Sequence, residues 1–188
     1  MTYQFLMMTL LILGILLWVG AHLFKRLSPD RRAALGDKGK APIAIALVAA
    51  LVLIVIGYRG AEFWPVWTPP AFLTHVNNTL MILAFYLYAA SGAKTWIARK
   101  IRHPQLTAVK IWAIAHLLVN GEVAAIVLFG SMLAWAVVEV IVINKAVPVW
   151  TPPPKGPVRK EFTAVIATLV VVGVVMAIHN WLGVQPWG

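Results

Sequence analysis

The chain has 188 residues, 61% of them hydrophobic, with a mean hydropathy of +0.85. Soluble domains hold about 45–50% apolar residues, and a chain this small has no interior that could hide the excess from water. Lipid is therefore the expected solvent for much of it. Sixteen Lys and Arg against six Asp and Glu give a formal charge of +10. The basic residues fall between apolar runs, which favours anionic headgroups over nucleic acid as the partner. The absence of cysteine excludes disulfides, thiolate catalysis, iron–sulfur clusters, Cys-ligated haem and covalently attached c-type haem.

A membrane-spanning helix needs about 20 apolar residues. Residues 5–24 form the first such run, ending in Gly20-Ala21-His22 ahead of Lys25 and Arg26. The run is too long for a signal-peptide core and lacks a basic leader and a cleavage site, so it reads as a retained helix. Residues 42–58 and 73–91 follow. Residues 106–119 make a shorter run carrying Lys110 and His116. The turn signal Asn120-Gly121 separates it from residues 123–144, which hold Glu139. The last run is 162–183. The pattern predicts an all-α fold: one transmembrane domain over residues 1–188, a polytopic bundle of about six helices.

The charges fix an expected orientation. Lys25, Arg26, Arg31, Arg32, Lys38 and Lys40 follow the first run, and only Arg59 follows the second. Lys94, Arg99, Lys100 and Arg102 follow the third, none lies in the 120–122 turn, and Lys145, Lys155, Arg159 and Lys160 precede the last. Rich and poor loops alternate as the positive-inside rule requires. Both termini are then expected outside, periplasmic in a bacterial inner (cell) membrane. Pro-Val-Trp-Thr-Pro-Pro occurs twice, at 65–70 and 148–153. Interfacial tryptophan and helix-stopping proline account for each copy.

Polar groups inside a span persist mainly where they pair, face a cavity or hold a cofactor. Of the five histidines, His75 and His179 sit near predicted helix ends, where an interfacial role suffices. His103, between Arg102 and Pro104, stands at a rigid cationic corner suited to an anionic group. His22 and His116 lie within spans. A neutral imidazole there serves as a haem or metal ligand, or as a hydrogen-bonded core group, and spacing alone leaves both readings open. Trp112, His116 and Asn120 are four apart and share a helix face. Lys110 either snorkels to the inner interface or pairs with Glu139. Arg26, Arg102 and Lys110 are on the side where haem propionates would be neutralised. No phosphate loop, zinc-protease motif or nucleophile elbow occurs.

The segment Arg102-His103-Pro104, Lys110-x-Trp112-Ala113-x-Ala115-His116-Leu117-Leu118-x-Asn120-Gly121-Glu122, Leu128-Phe129-Gly130 and Ala134-Trp135-Ala136 resembles the NnrU family of integral membrane proteins. Gly20-Ala21-His22, Leu35–Gly39, Gly57-Tyr58 and the stretch 64–70 agree with it. The resemblance covers about residues 5–145, with the helix at 162–183 as an addition. It implies an association with denitrification, in nitrite and nitric oxide metabolism. The same superfamily includes 15-cis-zeta-carotene isomerase, which binds haem b through histidines. That likeness implies haem b here, with His22 and His116 as ligands to its iron. The isomerase carries a cysteine where this chain has Ala113, so a switch between Cys and His ligation is not available.

Whether the chain is an enzyme stays open. If it is one, the resemblance implies a haem-dependent isomerase or redox protein, with nitric oxide or an apolar polyene as ligand. A non-catalytic membrane factor that assembles or regulates a nitrite or nitric oxide reductase is the competing class. A weaker likeness, through Arg-His-Pro, is to S-adenosylmethionine-dependent membrane methyltransferases, but Gln105-Leu106 stands where an aromatic residue is expected.

Overall fold

The computed structural model describes residues 2–154 and 156–186. Lys155, counted above in the last basic loop, lies outside them. Seven α-helices follow in order: α1 (Thr2–Leu27), α2 (Pro29–Ala34), α3 (Lys40–Gly60), α4 (Leu73–Ala93), α5 (Pro104–Val119), α6 (Val123–Ala146) and α7 (Arg159–Trp181). Short 3-10 turns occupy Gly36–Gly39 and Ile97–Arg99. Among the described residues the only β feature is an isolated bridge, Pro65 to Glu122.

Each predicted run is a helix, but most extend a few residues beyond the run. Hydropathy marks where hydrocarbon ends, whereas a helix continues for as long as its backbone groups can pair within the segment. The short α2 was not foreseen. It begins with Pro29 and α5 with Pro104, each where the missing N–H has no helical partner to lose. Four segments are long and apolar enough to cross a membrane: Thr2–Leu27, Gly36–Gly60, Val123–Ala146 and Arg159–Trp181. They point to a membrane protein. Helix α4 carries His75, Asn77 and Asn78 in its first turns, and α5 has only 16 residues. Neither is among the four.

The chain divides into two compact units. The first, ending at Trp67 and resuming over Gly121–Ala146, holds α1, α2, α3 and α6. The second, Thr68–Asn120 and then from Val147 onward, holds α4, α5 and α7. Each is a helical pair joined later by a third long helix. The two Pro-Val-Trp-Thr-Pro-Pro copies lie at two of the three places where the chain passes between units. The first spans the Trp67–Thr68 passage, and the second begins just after Ala146–Val147.

In the first unit α1 packs on α3 and α6. Close approach depends on glycine: a Cβ on Gly57 would stand 2.4 Å from the Leu11 nitrogen. At one end, the loop after α3 is clasped to the start of α6. Val66 N–H and Trp67 N–H donate to the Gly121 carbonyl (2.7 and 3.2 Å), and Val123 N–H donates to Trp64 O (3.0 Å). A Cβ on Gly121 would fall 1.9 Å from the Trp67 carbonyl oxygen, so only glycine fits this clasp. The Tyr58 hydroxyl donates to Glu122 Oε1 at 2.9 Å.

In the second unit α4 packs on α5 and α7. Ala84, Leu87 and Ala108 are buried, with Ile97, Ile101, Ile111 and Trp112 against them. Lys94 ends α4 in a left-handed conformation (φ 58°), its N–H turned to the Ala90 and Ser91 carbonyls. The basic loop that follows spends its guanidinium groups on backbone. Arg99 Nε donates to Pro153 O at 3.0 Å, and Arg102 donates to the Val147 and Pro148 carbonyls. Trp96 N–H donates to Glu161 Oε1 at 2.7 Å, holding the start of α7.

Candidate functional site: two tryptophan–histidine turns

His22 lies near the end of α1, half-buried. Its Nδ1 is 2.9 Å from the Trp18 carbonyl oxygen, one helical turn back. A carbonyl only accepts, so Nδ1 carries the proton and the ring's lone pair is on Nε2. The imidazole sits between two indoles, 4.4 Å from Trp18 and 4.8 Å from Trp135 by ring centroids. The two indoles meet edge to face at 5.8 Å and 82°, the arrangement that aromatic quadrupoles favour.

One turn beyond Trp135 on α6 stands Glu139. Both are buried, at 6% and 8% exposure. Among the described residues, Trp18 Nε1, Trp135 Nε1 and Glu139 Oε2 have no hydrogen-bond partner. A buried polar group left in that condition costs about 1–3 kcal/mol. Two unsatisfied donors around a histidine are the kind of exception found where a ligand or cofactor is handled.

His116, in the last turn of α5, repeats the local design. Its Nδ1 is 2.9 Å from the Trp112 carbonyl oxygen, and the rings lie 5.3 Å apart at 53°. The lone pair is again on Nε2. Asn120 follows as the C-cap, and both its backbone N–H (2.9 Å) and its Nδ2 (2.8 Å) donate to the His116 carbonyl. The expected face of Trp112, His116 and Asn120 therefore exists as a ladder of hydrogen bonds within one helix.

The other candidates fall as follows. His103 is the N-cap of α5 at φ −126° and ψ 65°, with Pro104 buried behind it. Its place is the corner that the sequence indicates. Arg26 and Lys110 are half-buried. Arg102 is committed to two backbone carbonyls. Lys110 lies in the second unit and Glu139 in the first. His179 also sets Nδ1 on the carbonyl one turn back, Val175 O at 2.8 Å, while His75 is exposed at the start of α4. No group of three or more His, Asp or Glu able to hold a bare metal ion occurs among the described residues.

Sequence reasoning passed over Trp18 as the counterpart of Trp112, and Trp135 as a neighbour of His22. A signal for the first was present. Trp18-Val19-Gly20-Ala21-His22 and Trp112-Ala113-Ile114-Ala115-His116 share the pattern Trp-x-x-Ala-His. The Tyr58–Glu122 bond joins two motif residues 64 positions apart, a contact that no local spacing encodes.

Among the described residues the fold is all-helical, with four helices long and apolar enough to cross a membrane, which suggests a membrane protein. Residues 10–186 match the family described as NnrU protein, and the chain belongs to that family. The match runs through α7, beyond the motif-bearing stretch of residues 5–145. No curated protein and no solved structure matches the chain.

Proposed function

We propose that this NnrU-family chain binds haem b in a bacterial inner membrane, with His22 and His116 as nitrogen ligands to the iron. The observation that carries the reading is the pair of Trp-x-x-Ala-His turns. Each fixes an imidazole by its Nδ1 on the tryptophan carbonyl and leaves the lone pair on Nε2. A backbone carbonyl on the distal nitrogen is the usual way a ligating histidine is oriented and made more basic. The unsatisfied indole N–H groups near His22 fit a polar edge or bound ligand there. When bound, haem would supply a one-electron couple, and an iron able to take a small ligand if one of the two histidines were displaced.

The chain's own residues do the rest. Trp18, Trp135 and Trp112 shield the imidazoles from water and restrict their rotation. Arg26 and Lys110 are candidates for the propionates. Arg102 contributes positive charge from a fixed position, because its donors already hold the Val147 and Pro148 carbonyls. Ala113 is fully buried, at 0% exposure, and offers no thiol, which weighs against an isomerase that switches ligands. The charge alternation supports six crossings with periplasmic termini. Family membership supports a role in denitrification, with nitric oxide as a ligand of suitable chemistry.

The test is a pyridine haemochrome assay with oxidised and reduced spectra, on protein made with ample haem. Stoichiometric haem b in the wild type, lost from His22→Ala and His116→Ala proteins of unchanged helicity, is the expected result. A colourless protein that co-purifies with a reductase subunit would overturn it in favour of an assembly factor.

A further inference from the structure

The α1–α3 pair is closed at one end and open at the other. Near Leu11 and Gly57 the backbones touch, whereas nine residues further along α1 a Cβ on Gly20 would meet nothing within 4 Å. Toward the connector lies a groove of about 360 Å³, lined by Leu16, Leu17, Gly20 and Phe24 of α1 and by Pro42 and Ile43 of α3. The His22 ring faces Trp135 of α6 and does not line this groove, although Gly20 and Ala21 of its turn do.

The open end of the groove adjoins the connector between the two helices. Residues 25–40 hold six basic side chains and two acidic ones. Lys40 is paired with Asp37 at 2.7 Å, and Arg32 Nη1 donates to Gly36 O at 2.9 Å. Lys25, Arg31 and Lys38 are exposed.

We propose that this groove seats one acyl chain of an anionic phospholipid, with its phosphate against the basic connector. Three arguments select this occupant. The lining named above offers hydrocarbon and no side-chain hydrogen-bonding group, which suits a hydrocarbon chain and not a polar metabolite. The groove lies on two helices able to cross a membrane, where acyl chains are the abundant apolar species. Basic side chains gather at one end only, and juxtamembrane Lys and Arg attract anionic headgroups. Long basic side chains also reach phosphate by snorkelling.

Native mass spectrometry of the detergent-solubilised full chain tests this, with dioleoylphosphatidylglycerol and dioleoylphosphatidylcholine titrated separately. The expected result is one phosphatidylglycerol retained per chain, bound about tenfold more tightly than phosphatidylcholine. Gly20→Leu fills the groove where space is open, and weakens phosphatidylglycerol on the order of tenfold through lost methylene burial. Should that chain not fold, Ala46→Leu on the facing wall carries the same test. Lys25→Gln, Arg31→Gln and Lys38→Gln together bring phosphatidylglycerol to the phosphatidylcholine level, a loss of about tenfold, or roughly twofold per charge. Equal retention of the two lipids by the wild type overturns the proposal. So does unchanged retention in the groove-filling variants, or displacement by free glycerol 3-phosphate, which would mark a headgroup site without a chain groove.

Discussion

His22 and His116 begin from the same five-residue pattern and end in different surroundings. In the first unit the imidazole is enclosed by indoles from two helices, α1 and α6, with two N–H groups unsatisfied. In the second, Trp112 stands one turn before the imidazole and packs against buried residues of α4 and α5, and Asn120 caps the His116 carbonyl. The local motif sets the tautomer in both places. Packing between helices then makes one site an aromatic cage and the other a helix terminus. The His22 imidazole is set among indoles of two helices, and the turn that carries His116 includes the helix end that Asn120 caps.

The comparison can be broken most sharply through the imidazoles themselves. If both turns present ligands, His22→Ala and His116→Ala each abolish haem retention, read as the loss of the reduced haemochrome band. An effect at only one position would end the equivalence. Next in size is the packing beneath the first site. Gly57→Ala drives a methyl group into the Leu11 backbone and is expected to destabilise by about 3 kcal/mol. Gly20→Ala, in open space, is expected to stabilise by up to about 1 kcal/mol through helix propensity. Reversible unfolding in mixed micelles measures both.

Smaller effects separate the two surroundings. Tyr58→Phe removes a donor to a carboxylate and is expected to cost about 1.5–3 kcal/mol, on the first unit alone. Asn120→Ala removes one of two donors to the His116 carbonyl, for about 1 kcal/mol, with fraying seen as faster amide exchange at the end of α5. Trp135→Phe keeps an aromatic ring and removes an unsatisfied N–H. It is expected to leave the haem-free protein as stable or slightly more so, while weakening haem retention. Greater loss of stability than of haem would show the indole nitrogen to be structural.

Much of the architecture was legible because its cause is local. Twenty-residue apolar runs and Asn120-Gly121 at a break act through neighbouring residues, although the short helix that Pro29 opens was missed. The candidate histidines were legible for the same reason, since a polar ring in an apolar run stands out. The chain's division was not. Which helix joins which pair depends on contacts between residues about a hundred positions apart, such as α1 with α6. The groove between α1 and α3 was hidden as well. It arises because Gly57 permits contact at one end while the side chains at the other end leave space, a difference in distance that hydropathy does not carry.

The assignment of helices to units has a consequence for synthesis. Each unit is a pair of helices whose third long helix comes much later: α6 for α1 and α3, and α7 for α4 and α5. A chain emerging at about 5–20 residues per second therefore holds two unfinished pairs at once, for about one to five seconds. The His22 unit is complete only once α6 has been made, and the unit that holds His116 waits for the final helix. A stalled product ending near Ala146 would hold the His22 unit whole and the other unit without its third helix, still a client for membrane chaperones and proteases.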